Sequence, residues 1–250
     1  IRVLPLLLSI PTVFLVGFLA RKLFNVQISL IAAVLFSTTP TIVLANRMSL
    51  TENLLTPLAL LAIIILISPN ISKKLKSAFY VGIISCLSIL TKQIGIAISL
   101  TAIFVYYLKK QLTNTITVLI FSAFGFLSYL AFGLYYDWSL FLSLQQDVRI
   151  GHTLSGLPQV IANIFQYPGI GPKNHPFLDG SILLGYLLLF SSPIWLLKNK
   201  DNQSLESILL IFPFTYLLLL ALGQSGSGAF TFFGWYLYPL FPFLIILVAK

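Results

Sequence analysis

Apolar runs of 15–22 residues follow one another along most of the chain, separated by short polar breaks. Leu, Ile and Phe dominate these runs, without the period-two alternation of barrel strands. Backbone groups in lipid must be satisfied within their own segment. The pattern therefore predicts helices, each crossing an apolar core of roughly 30 Å with about 20 residues. We place nine spans, at about residues 2–20, 28–45, 54–68, 78–90, 94–108, 113–134, 182–197, 205–222 and 236–249. The expected fold class is an all-α polytopic membrane protein, a single transmembrane domain over residues 1–250 with a long external loop at about 135–181. That loop is rich in turn formers (Gly151, Gly156, Pro158, Pro168, Pro176), and a loop of such length is more often functional than a mere connector.

Charge fixes the direction of the spans. Charged residues make up 8% of the chain, against about 25% in a soluble domain. Basic clusters recur between alternate runs: Arg21-Lys22, Lys73-Lys74-Lys76, Lys109-Lys110, Lys198-Lys200 and Lys250. With Arg21-Lys22 cytoplasmic, ten basic residues lie inside and five outside (Arg2, Arg47, Lys92, Arg149, Lys173), together with four of the six acids. The net charge of +9 is then a matter of topology, and no nucleic-acid partner is implied. The sequons at Asn70 and Asn202 fall on the cytoplasmic side and should go unused. The lone cysteine, Cys86, permits no internal disulfide. We expect an integral protein of the plasma (inner) membrane whose working face is external or periplasmic. The chain opens at Ile1 and closes at Lys250 directly after a span, and we read it as a piece of a longer protein.

Residues 78–108 decide the span count. As one helix they would run about 46 Å, too long for a bilayer without strong tilt, and would set two lysine clusters on opposite sides. Two short arms turning at Thr91-Lys92-Gln93, eased by Gly95, keep both clusters inside and leave Lys92 sunk below the outer surface.

The charges on the external side are where chemistry is expected. In NRMSLTEN (46–53), Arg47 and Glu52 sit at the outer mouth between two spans. A charge near membrane depth costs roughly 2.5–3.5 kcal/mol, so it has a partner or a wet cavity unless it only caps a helix end. Arg47 suits an anionic group, and Glu52 suits coordination, orientation or proton transfer. Lys92 interrupts an apolar run where snorkelling is hard, and a compact cation there suits a phosphate or pyrophosphate. In the external loop, Arg149 and Lys173 suit phosphate or sugar hydroxyls, or are solvated charges. His152, His175 and Asp179 lack the short spacing of a ligand motif, so no metal site is assigned, although a divalent metal is left open. GQSGSG (223–228) lacks the lysine of a P-loop and reads as a linker. Trp235, Tyr236 and Tyr238 read as an interfacial aromatic belt, or as a surface that stacks on sugar or grips lipid.

Four stretches carry a family resemblance: ARKLFN (20–25), SLIAAVLFSTTPTIVLANRMSLTENLLT (29–56), ISCLSILTKQIGIAI (84–98) and FFGWYLYPLFPFLIIL (232–247). Together they resemble the GT-C class of membrane glycosyltransferases, especially the aminoarabinose and protein-mannosyl transferase branch. The resemblance implies transfer of a sugar from a polyprenyl-phosphate donor to a lipid, protein or glycan acceptor at the outer or luminal face, in cell-envelope glycosylation. It implies that Glu52, where Asp is frequent, belongs to the active site and that Lys92 holds the lipid phosphate. The family's first external loop, with its acidic base, precedes the stretch matched by residues 2–20, so the resemblance places that base upstream of Ile1. Arg47 joins Lys92 as a donor-phosphate ligand, and Arg149, His175, Asp179, Trp235 and Tyr236 are candidate substrate contacts. A transporter or flippase of an anionic lipid-linked substrate is the alternative from another class, as is a non-catalytic membrane subunit. Against the transporter stand the lack of an inverted repeat and charges gathered at one face instead of the midplane.

Overall fold

The computed structural model describes residues 3–47, 50–68, 75–149, 180–198, 203–224 and 234–250. These residues are helical throughout apart from short turns. They form α1 (Val3–Leu23), α2 (Val26–Thr38), α3 (Pro40–Arg47), α4 (Glu52–Ile67), α5 (Leu75–Thr91), α6 (Ile96–Leu108), α7 (Leu112–Tyr136), α8 (Trp138–Arg149), α9 (Gly180–Lys198), α10 (Gln203–Gln224) and α11 (Phe241–Ala249). Short 3-10 segments at Gln93–Gly95 and Gly234–Leu240 precede α6 and α11. Each stretch drawn as a span coincides with a helix or a helix pair. By length and apolarity alone, α1 and α7 suffice to cross a membrane, and α2 with α3 makes a third candidate as a bent pair. The remaining apolar helices are shorter.

Two local features depart from the sequence expectation. The span drawn at 28–45 is broken at Thr39-Pro40 with a 60° bend. Proline has no N–H and disfavours helical geometry in the residue before it, and Thr39 accordingly adopts φ −61, ψ 120. The stretch read as a loop from residue 135 begins instead with a helix. Asp137 starts α8 by accepting the Leu140 N–H at 2.9 Å and the Ser139 hydroxyl at 2.8 Å, as an N-terminal cap does. Phe141 then folds α8 back onto α7, against Tyr129 at 5.2 Å between ring centroids.

The α5–α6 hairpin forms as expected. Lys92 is extended (φ −162, ψ 137), and a Cβ added at Gly95 would lie 2.1 Å from the Ser88 carbonyl oxygen, so only glycine permits this close return. At the far end of the hairpin the Ser77 and Tyr106 hydroxyls meet at 3.1 Å, which makes the two arms antiparallel. α7 packs tightly on α5 through Gly125 against Cys86 and Gly82 against Phe121. Outward, α1 and α7 carry exposed apolar side chains such as Leu7, Phe14, Ile120, Phe124 and Leu127.

Most of α4 is buried, and both its ends are matched by charge. Its last-turn carbonyls, which have no partner inside the helix, receive Lys22 from α1 (Ile64 O at 3.5 Å, with Ser68 Oγ also bound) and Lys109 (Leu66 O at 2.8 Å). Lys250 lies over the Phe24 ring at the same end, 5.1 Å from its centroid. The bundle thus has a lysine end, and the opposite end of α4 begins with Glu52.

Candidate active site

Glu52 opens α4, where a negative charge complements the helix dipole, yet its side chain is only 2% exposed. Such a carboxylate needs a counter-charge. Its Oε1 forms an ion pair with the Lys92 ammonium, and Oε2 accepts the Thr51 hydroxyl at 3.1 Å. Lys92 reaches it because the hairpin turn places one extended residue between α5 and the 3-10 turn, directed at the start of α4. The ammonium also lies over the Tyr236 ring, 3.9 Å from its centroid. With 26% of its side chain exposed, Lys92 remains open to solvent on one side while Glu52 sits behind it.

Four further bonds hold this arrangement. Tyr216 of α10 donates its hydroxyl to the Tyr236 carbonyl at 2.8 Å, fixing the 3-10 segment that carries the ring. Tyr238, 1% exposed, donates to Asn46 Oδ1 at 2.5 Å and ties the same segment to the end of α3. Asn53 Nδ2 donates to the Ala45 carbonyl at 3.3 Å, joining α3 to α4. Beside Lys92, Gln93 Nε2 bonds the Tyr129 hydroxyl and anchors the hairpin turn to α7. Elements remote in sequence therefore converge on one ion pair.

Of the residues singled out from sequence, Glu52, Lys92 and Tyr236 come together. Arg47 ends α3 near the same end of the bundle but is exposed and makes no ion pair among the described residues. Tyr238 does not join an aromatic belt: it is buried and bonded to Asn46. The backbones of Arg149 and Trp235 lie in α8 and in the 3-10 segment. His152, Lys173, His175, Asp179 and the sequon asparagines Asn70 and Asn202 lie outside the described residues. Among those described, no three His, Cys, Asp or Glu side chains gather as a metal site. Asn46 and Tyr216 were missed. A lone tyrosine inside an otherwise apolar helix, as at Tyr216, was the available signal, because a buried hydroxyl needs a partner.

Residues 1–136, more than half of the chain, match the profile of the dolichyl-phosphate-mannose-protein mannosyltransferase family. The chain belongs to this family. Neither a curated protein nor a solved structure matches it. Mannosyltransferases of this family are GT-C-type glycosyltransferases, so membership makes the chain a GT-C-type membrane glycosyltransferase, and the family implies a lipid-linked sugar donor. The matched stretch contains Glu52 and Lys92, whereas Tyr216, Tyr236 and Tyr238, which close around them, lie beyond it.

Proposed function

We propose that the chain crosses the membrane nine times and transfers a sugar from a polyprenyl phosphate to a lipid, protein or glycan acceptor at the outer or luminal face of the plasma (inner) membrane. The nine spans are α1, the bent pair α2–α3, α4, α5, α6, α7, α9, α10 and the 3-10 segment with α11. Their ends alternate between the lysine end and the Glu52 end, which supports the lysine end as cytoplasmic. The external loop then follows α8.

The observation that carries the reading is the Lys92–Glu52 pair, a buried charge pair at the far end from the lysines. α4 has 16 residues and is about 24 Å long, about 6 Å short of a 30 Å core, so a pair at its first turn lies below the membrane surface. There a lipid-borne phosphate can reach Lys92 without leaving the bilayer. The donor phosphate leaves with negative charge, and Lys92, already in place, stabilises it as it departs. Arg47, nearer solvent, adds to the attraction. Glu52 aims the ammonium and, once Lys92 turns to the phosphate, offers a carboxylate to the reacting groups. The Tyr236 ring packs against the cation, and Trp235, Arg149, His175 and Asp179 are the candidate substrate contacts.

In the full-length protein, Lys92→Ala should lower use of the polyprenyl-phosphate donor roughly ten- to a hundred-fold, since hydrogen bonds to charged groups are worth about 1.5–3 kcal/mol. Glu52→Gln should lower turnover while the protein still inserts and folds. The assay is transfer of labelled sugar in reconstituted membranes. Full transfer by both variants would refute the assignment.

A further inference from the structure

At the lysine end, far from the Lys92–Glu52 pair, a cavity of about 420 Å³ opens between α9, α10, α11 and the end of α1. That volume lies in the range of about 300–1,000 Å³ usual for ligand sites. Leu188, Leu209, Leu210, Leu247 and Phe24 give it apolar walls. Its polar groups are Ser191, Ser192 and Lys250.

The combination is that of a lipid with a charged headgroup. Ser191 and Ser192 return their hydroxyls to the Leu188 and Leu189 carbonyls at 3.0 and 2.6 Å. The Leu188 carbonyl also faces the Ser192 N–H along the helix, so the Ser191 hydroxyl can turn to a phosphate oxygen without leaving it unpaired. The Leu189 carbonyl faces Pro193, which has no N–H, so the Ser192 hydroxyl stays on it. The surrounding charge favours an anion. The described helix ends at this side carry Arg21, Lys22, Lys76, Lys109, Lys110, Lys198 and Lys250, against Glu206 in the first turn of α10. Basic pockets between membrane helices bind anionic headgroups for this reason. We propose that this cavity binds one anionic phospholipid from the leaflet on the lysine side, its acyl chain between the leucines and its phosphate at Lys250 and Ser191. A soluble anion would use the cation but not the walls, and a zwitterionic lipid would use the walls but gain little from the cation.

The test is native mass spectrometry of the full-length protein released from nanodiscs of phosphatidylcholine containing a minority of phosphatidylglycerol. One phosphatidylglycerol should stay bound. Lys250→Gln should cut its retention about five-fold, the effect of one basic residue near an anionic headgroup. Leu247→Trp, which fills the slot, should abolish retention, and Lys250→Gln still decides the matter if that variant does not fold. Lys76→Gln, an equal change of charge away from the cavity, should leave retention unchanged, and glycerol phosphate should not compete. Equal retention of phosphatidylcholine, an equal loss with Lys76→Gln, or displacement by glycerol phosphate each overturns the proposal.

Discussion

Lys92→Met keeps most of the side chain's length and removes its charge. The Glu52 carboxylate is then left 2% exposed, with the Thr51 hydroxyl as its remaining donor among the described residues. Breaking a buried ion pair from one side costs about 3–5 kcal/mol. Lys92 is 26% exposed, so water already screens the pair, and the low end, about 3 kcal/mol, is expected. Loss of the contact with the Tyr236 ring adds about 0.5–1 kcal/mol. Adding Glu52→Gln removes the stranded charge, so the double variant should regain roughly 2 kcal/mol over Lys92→Met. Reversible unfolding in mixed micelles, run on both single variants and the double variant, gives the coupling. Sugar transfer should stay low in the double variant, because restoring stability does not restore a cation for the phosphate. The reasoning is wrong if Lys92→Met matches the parent in stability, or if the double variant is no more stable than Lys92→Met.

Tyr216→Phe removes the bond to the Tyr236 carbonyl and should destabilise the protein by about 1 kcal/mol while raising the apparent KM for the donor more than it lowers kcat. An unchanged donor KM would mean that Tyr216 does not position the ring. Gly95→Ala drives a Cβ into the Ser88 carbonyl and should abolish stable insertion, read as loss of the folded species on size-exclusion chromatography. Asp137, exposed at the start of α8, has its carboxyl held below the ordinary value, first by the Leu140 N–H and then by the Ser139 hydroxyl. Its stabilisation of that turn is therefore complete above the unfolded-state value and lost as pH falls through the lower folded-state one. Hydrogen exchange at Leu140 should show full protection at neutral pH that fades only in strong acid, and Asp137→Asn should remove that dependence.

The helices were legible because the apolar runs are long and their breaks polar. The hairpin turn was legible for a sharper reason: Lys92 is a charge in an apolar run, and a turn is the cheapest way to release it. The break at Thr39-Pro40 was hidden by apolar residues continuing on both sides, although the proline signalled it. α8 was hidden by its setting among polar residues, although Asp137 marked its start. Arg47 and Lys92 carried much the same signal, yet only Lys92 reached Glu52. Arg47 ends a short helix at the surface, whereas Lys92 is turned inward by the return of the chain at Gly95. Tyr216 acts on a backbone carbonyl twenty positions away, a bond that no spacing rule specifies.

The central claim is that Lys92 holds the phosphate of a lipid-linked donor. Solid-state NMR can measure the dipolar coupling between the donor's 31P and the 15N-labelled lysine Nζ in reconstituted membranes, with Lys92→Gln to assign the signal. The account predicts a coupling that vanishes in Lys92→Gln and corresponds to hydrogen-bonding contact, about 2.7–2.9 Å between nitrogen and phosphate oxygen. A donor that is bound and turned over while its phosphorus shows no coupling to Lys92 would contradict it.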